Sequence, residues 1–192
     1  SIGYMMAIVS IGGQAATAAA IFYLLQDMIV KVALFTTAWV VARQGGTEDL
    51  TLSGGLWARA PLLGALFLAP ALSLAGLPPF AGFWAKVLFT DAALKADLGW
   101  LAAVGLGVGV LTLYSMGRVF ALTFWRSRPE DSPVAAMATD RPPLVATATT
   151  IGLAALVVWI GVQPEPFIAF AQAAAADIVN PESYLAAVLG ER

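Results

Sequence analysis

Four stretches of this sequence carry no charged residue: residues 1–26, 60–85, 98–117 and 142–164. A helix needs about 20 residues to cross the hydrocarbon core of a bilayer. In a chain of 192 residues, four apolar runs near that length leave little room for anything else. Only 11% of the residues are charged and 60% are hydrophobic, whereas a water-soluble domain carries about 25% charge. Too little polar surface remains to cover a soluble globule. The sequence predicts an all-α, polytopic transmembrane helical bundle.

The spacing places six segments. A short one over about 2–12 stops at Gly12–Gly13, and a long one follows over about 15–42. The others cover about 60–77, 78–94, 98–125 and 143–163. Residues 44–59 and 126–142 read as polar loops. The tail 164–192 reads as an interfacial helix broken at Pro181, with Asp177 and Glu182 against a further span. Residues 1–163 form the bundle. Five of the six Trp residues fall near span ends, at the headgroup level; Trp84 is the exception. Strict alternation of the spans puts loop 126–142 on one side, and loop 44–59, Lys95 and the C-terminus on the other. The arginines of 126–142 make that side cytoplasmic. Ser1 opens directly into an apolar run with no basic segment before it, unlike a signal peptide. The chain is expected to begin within or near a helix.

Several function classes drop out. A net charge of −2 lacks the clustered basic face that a nucleic-acid partner requires. Cysteine and histidine are absent, which removes disulfides, the usual zinc ligands and a haem histidine. No metal or cofactor is expected. Ser10, Ser73 and Ser115 have no histidine or oxyanion signature beside them, which disfavours hydrolase chemistry. Gly105, Gly107 and Gly109 follow no strand, so they read as close helix packing rather than a nucleotide loop. Thr147, Thr149 and Thr150 read as interhelical hydrogen-bonding groups.

What remains is charge in costly places. Asp27 and Lys31 fall near the middle of the second span, spaced i, i+4 on one helix face. A lone charge at the bilayer centre costs about 2.5–3.5 kcal/mol. An apolar pair would pack as well without that cost, so the pair reads as a proton-relay station; an internal salt bridge that pins packing is the structural alternative. Lys86 follows Pro78, Pro79 and Gly82, residues that interrupt a helix. Unwound backbone at membrane depth is tolerated only inside protein or beside a water-filled cavity. The run predicts a discontinuous helix near Pro78–Lys86, with Lys86 in a pathway rather than snorkelling to the surface. Accessory candidates are Gln26, Tyr114, Arg118 and Asp91.

These residues carry a resemblance. The run Ser1-Ile-Gly-Tyr-Met-Met, the run ending Gln26-Asp27-Met-Ile-Val-Lys31, and Gly76-Leu-Pro-Pro-Phe-Ala-Gly82-Phe-Trp-Ala-Lys86 occur in this order. They resemble the C-terminal part of the antiporter-like subunits shared by respiratory complex I and Mrp-type cation/proton antiporters. Met28–Lys31 and Leu113-Tyr114-Ser-Met-Gly-Arg118 look most like the D-type member of the Mrp complex. The resemblance spans roughly residues 1–163. It implies that Lys31 stands on a central hydrophilic axis and that Lys86 is the terminal lysine, next to an exit half-channel. It further implies a preceding inverted repeat, a hetero-oligomeric complex in a bacterial cytoplasmic membrane, and protons and sodium or another monovalent cation as cargo. Relatives often carry histidine a turn before Lys31, where Gln26 and Asp27 stand here. Asp has a much lower ordinary pKa than His, so Asp27 reads either as a proton carrier or as a fixed counter-charge.

Three functions are compatible with these residues: a proton-translocating subunit of a multisubunit Na+/H+ antiporter, a proton-pumping subunit of complex I or a membrane-bound hydrogenase, and a structural membrane scaffold. In the first, the subunit makes and breaks no chemical bond and is not an enzyme.

Overall fold

The computed structural model describes residues 1–127 and 144–180. Helix α1 spans Ile2–Ile11 and ends at Gly12, whose φ of 76° favours glycine. Helix α2 spans Gly13–Gly45, and a single turn, α3, spans Leu56–Arg59. Helices α4 (Pro61–Ala75) and α5 (Ala81–Lys95) flank the Pro-rich segment. Helix α6 (Gly99–Phe120) continues through a π-helical turn to Trp125. Helices α7 (Leu144–Val162) and α8 (Glu165–Val179) follow. Among the described residues, three helices are long and apolar enough to cross a membrane: Gly13–Gly45, Gly99–Trp125 and Leu144–Val162.

Helices α4 and α5 are each 15 residues long, about 22 Å at 1.5 Å per residue, short of a ~30 Å core. Their contacts with α6 show how they are stacked. Gly64 packs on Phe124, and the Phe67 and Phe120 rings lie 6.3 Å apart. Further along, Gly109 faces the Ala75 carbonyl, and Gly105 faces Phe89. Moving from α4 into α5 therefore descends α6 continuously. The two short helices lie end to end as one interrupted span, not as the two alternating spans expected over 60–77 and 78–94. Hydropathy sees two apolar runs joined by a turn and cannot tell stacking from folding back.

That stacking changes sidedness. Residue 126 returns to the side of loop 44–59. Arg126 donates from its guanidinium to the carbonyls of Leu50 (3.2 Å), Thr51 and Ser53 (2.9 Å). The Gly55 N–H donates to Arg126 O at 2.7 Å. The expected placement of loop 44–59 opposite the 126 side is overturned. Arg43, Arg59 and Arg126 now share one end, and Asp91, Lys95 and Asp97 share the other. The remaining charges of the second loop (Arg128, Glu130, Asp131, Asp140 and Arg141) and those of the tail beyond 180 lie outside the described residues.

Packing divides along the same axis. Towards the arginine end, Val40, Leu63, Phe67, Phe120 and Phe124 form a buried cluster. Towards the Lys95 end, Tyr4, Ile8, Phe22, Tyr23, Phe89 and Ile160 form another. Helix α8 packs along the first half of α2, burying Ala171 and Ala175 and exposing Phe170 and Ile178. The threonine hydroxyls of α7 do not reach other helices as expected. Thr149 and Thr150 donate to Val145 O and Ala146 O of their own helix, at 3.0 and 2.9 Å, the local i−4 bond open to any helical threonine. Thr147 Oγ1 has no hydrogen-bond partner among the described residues. Gly105 and Gly109 do admit close packing, against Phe89 and Lys86, while Gly107 meets nothing.

Candidate functional site

The site is built where α4 stops and α5 starts. Gly76 takes φ +88° and closes α4, with its N–H on Leu72 O (3.0 Å) and Ser73 O (2.9 Å). The Leu77 N–H also bonds Leu72 O at 3.0 Å, the glycine-terminated ending that satisfies last-turn carbonyls. Pro78 and Pro79 follow, joined by a cis peptide bond, and α5 opens at Ala81 behind an extended Phe80.

An interrupted helix leaves orphan N–H groups on one side and orphan carbonyls on the other. Here each half caps the other. Ser73 Oγ of α4 accepts from the Gly82 N–H of α5 at 3.0 Å, the bond an N-cap side chain makes to the second helical residue. Lys86 Nζ of α5 donates to Ala75 O at the C-terminus of α4. A cation is favoured there because the helix carries partial negative charge at that end. A Cβ at Gly82 would collide with the Ser73 carbonyl, so the overlap requires glycine. Helix α7 seals the junction, with Gly161 pressed against Pro79 O and Phe80. Trp84, the tryptophan that fitted no span end, donates Nε1–H to Gly161 O at 2.8 Å.

Lys86 is 8% exposed. Its ammonium lies 5.7 Å from the centre of the Tyr4 ring. That ring stacks on Tyr23 at 5.4 Å and meets Phe89 edge-on at 5.3 Å, and its hydroxyl donates to Gly105 O. A cleft of about 550 Å³ runs from Lys86 and Gly76 past Thr90 to Asp91, walled by Leu106 and Leu113 of α6. Asp91 also lines a second cleft of about 440 Å³, with Gln14, Lys95 and Gln172. Asp91 and Lys95 are ion-paired at 2.7 Å and both exposed, so the first cleft ends at an exposed ion pair.

The second candidate group sits on α2. Lys31 Nζ lies 2.7 Å from Asp27 Oδ2. The Asp27 side chain is buried at 3% exposure, while that of Lys31 is 41% exposed. Asp27 Oδ1 and Gln26 Oε1 are buried, with no hydrogen-bond partner among the described residues. Tyr23 precedes Asp27 by four residues, so Tyr23, Asp27 and Lys31 form one stripe along α2. The stack of Tyr4 on Tyr23 joins this stripe to Lys86. Tyr114 and Arg118 stand apart, on the exposed face of α6.

Sequence reasoning missed Tyr4, Tyr23, Ser73 and Gly161. Only Tyr23 left a signal, its i−4 spacing from Asp27. The others act across helices.

Comparison with known proteins fits this geometry. The chain is 36% identical to the D subunit of the Na(+)/H(+) antiporter of Alkalihalophilus pseudofirmus, over 99% of this chain and 38% of that protein. It is 34% identical to the N subunit of the NADH-quinone oxidoreductase of Xanthomonas euvesicatoria, over 92% of this chain and 36% of that protein. A solved structure of the Mrp complex from Dietzia sp. matches with a TM-score of 0.86 at 31% identity, covering 98% of this chain and 42% of that one. The chain thus spans about two fifths of the length of these relatives. It is a multi-pass membrane protein. The family model for the NADH:quinone oxidoreductase/Mrp antiporter transmembrane region matches residues 1–112, which include both lysines and the whole α4–α5 junction, and the chain belongs to that family.

Proposed function

We propose that this chain forms the terminal part of a proton pathway in a subunit of a multisubunit monovalent cation/proton antiporter. Protons pass along Lys31 and Asp27 to Lys86 and leave through the cleft towards Asp91. The single observation that carries this reading is Lys86. It is buried at a helix interruption and faces a cleft that ends at an exposed ion pair. A lysine kept only for packing has no need of a broken helix, whose orphan groups cost free energy unless capped. Sodium as the exchanged cation is supported by the Na(+)/H(+) antiporter relative.

The test uses full-length protein in its assembled complex. Proton-driven sodium uptake is measured in inverted vesicles. Lys86→Ala is expected to abolish exchange while assembly is retained. Wild-type uptake in that variant would overturn the role of Lys86.

The likeness to an NADH-quinone oxidoreductase protein favours a second reading, in which the same pathway serves a redox-driven pump. Co-purification of the full-length protein with flavin or iron–sulfur proteins, and no sodium exchange, would decide for it.

A further inference from the structure

Lys86 is the buried ammonium of the site, and it faces an aromatic ring rather than a carboxylate. We propose that Tyr4 is a positioning residue for Lys86, holding the protonated amine against the Ala75 carbonyl through the negative face of its ring. The inference rests on the pathway reading of Lys86.

Three observations carry it. The ammonium lies 5.7 Å from the ring centre, inside the range of a cation–π interaction, which strengthens as the pair is desolvated. Tyr4 is held on several sides, by Tyr23 on one face, Phe89 at its edge and the Gly105 carbonyl at its hydroxyl. A ring fixed so tightly is pre-organised to receive the charge. Gly109 leaves room for the amine, because a Cβ there would stand 2.8 Å from Nζ. The ammonium thus has a carbonyl on one side and a ring on the other, and neither is an anion. On losing its proton, the amine loses the attraction to the ring and keeps only a weaker N–H bond to Ala75 O, so it is held less firmly at the junction. Tyr4 thereby sets which protonation state is held at the junction.

The experiment replaces Tyr4 by phenylalanines with progressively more ring fluorines, in the full-length assembled complex. Fluorine drains the negative ring face at nearly constant volume, so packing is preserved while the attraction weakens. Tyr4→Phe keeps the ring face but loses the bond to Gly105 O, and is the reference against which the fluorinated rings are read. Exchange then falls stepwise with fluorination, to about tenfold for the most fluorinated ring, as expected for losing a desolvated cation–π contact. The same series at Phe120, in the buried cluster at the arginine end, is expected to stay flat. A flat series at position 4 overturns the proposal. If Tyr4→Phe does not assemble, fluorotyrosines that retain the hydroxyl, assayed below their ionisation, give the same two outcomes. Lys86→Ala is run in parallel. If it remains active, the pathway reading fails; if it is inactive beside a flat fluorine series, only the role of Tyr4 fails.

Discussion

In the middle of α2 the helix is unbroken and Lys31 lies 2.7 Å from a carboxylate. At the α4–α5 junction the helix is interrupted, and Lys86 meets a carbonyl oxygen and an aromatic face instead. The contrast shows two ways of keeping an ammonium in apolar surroundings. Pairing with Asp27 ties the two charges together, because neutralising Lys31 would strand a buried carboxylate. Among the described residues, Lys86 has no carboxylate partner to strand when it releases its proton. On the proposed pathway, the continuous helix suits two groups that exchange a proton as a pair, and the interrupted one suits a group that changes charge by itself.

The largest expected effect breaks the junction. Gly82→Leu drives a side chain into the Ser73 backbone and is expected to cost about 3 kcal/mol or more, the upper range for overpacking. Thermal unfolding of the purified complex reads the loss, and Gly82→Ala should fall between the two. Met28→Leu, on the exposed face of α2, is expected to change stability by less than about 0.5 kcal/mol. Equal tolerance at both places would erase the distinction between the two regions.

The next test sharpens the α2 side. Lys31→Gln alone leaves Asp27 buried beside an uncharged partner. It is expected to cost about 1–2 kcal/mol, less than the roughly 3–5 of a fully buried pair, because Lys31 is 41% exposed and partly screened. Adding Asp27→Asn should restore most of that stability but leave exchange at least about tenfold down. Wild-type exchange in the assembled double variant would reduce the pair to a packing device.

The two regions were unequally legible in the sequence. The i, i+4 pairing of Asp27 and Lys31 follows from helical periodicity, and the structure places the two in contact. Pro78, Pro79 and Gly82 announced an interruption, and α4 and α5 do part between Ala75 and Ala81. What the interruption does was hidden. Whether two short helices stack or fold back depends on what they pack against, here α6. With stacking missed, the side assigned to loop 44–59 came out wrong. The cross-caps from Ser73 and Lys86, and the seal by Gly161, were equally out of reach, because no periodicity links residues on different helices.

A smaller effect tests whether the regions can be perturbed independently of the bundle's end. Arg126→Ala removes three bonds to loop carbonyls, two of them exposed to solvent, and is expected to cost about 1 kcal/mol. Arg126→Lys should recover part of this, since all three bonds come from one nitrogen, Nη2, and an ammonium keeps the charge and the donors on a shorter stem. Thermal stability should fall while the exchange rate of surviving complex stays near wild type. A parallel loss of exchange would mean that α2 and the junction respond to the whole bundle.

The smallest effect concerns acid sensitivity, and it guards the comparison against misassignment. Asp49 lies in the loop outside the spans. The Thr51 hydroxyl and N–H donate to its carboxylate, both at 2.7 Å, and hold its pKa below the ordinary carboxylate value. A depressed folded pKa contributes stability that is complete above the ordinary value of about 4 and is lost as pH falls through the lower folded value. Thr51→Val removes the hydroxyl donor and leaves the N–H, so part of the depression should disappear, and the acid loss should be smaller and end at a slightly higher pH. Circular dichroism melts between about pH 3 and 5 read that displacement. The same variant at neutral pH, where the contribution is complete, should be slightly less stable than wild type, with exchange unchanged. Acid sensitivity unchanged by Thr51→Val would transfer the acid limb to other carboxylates.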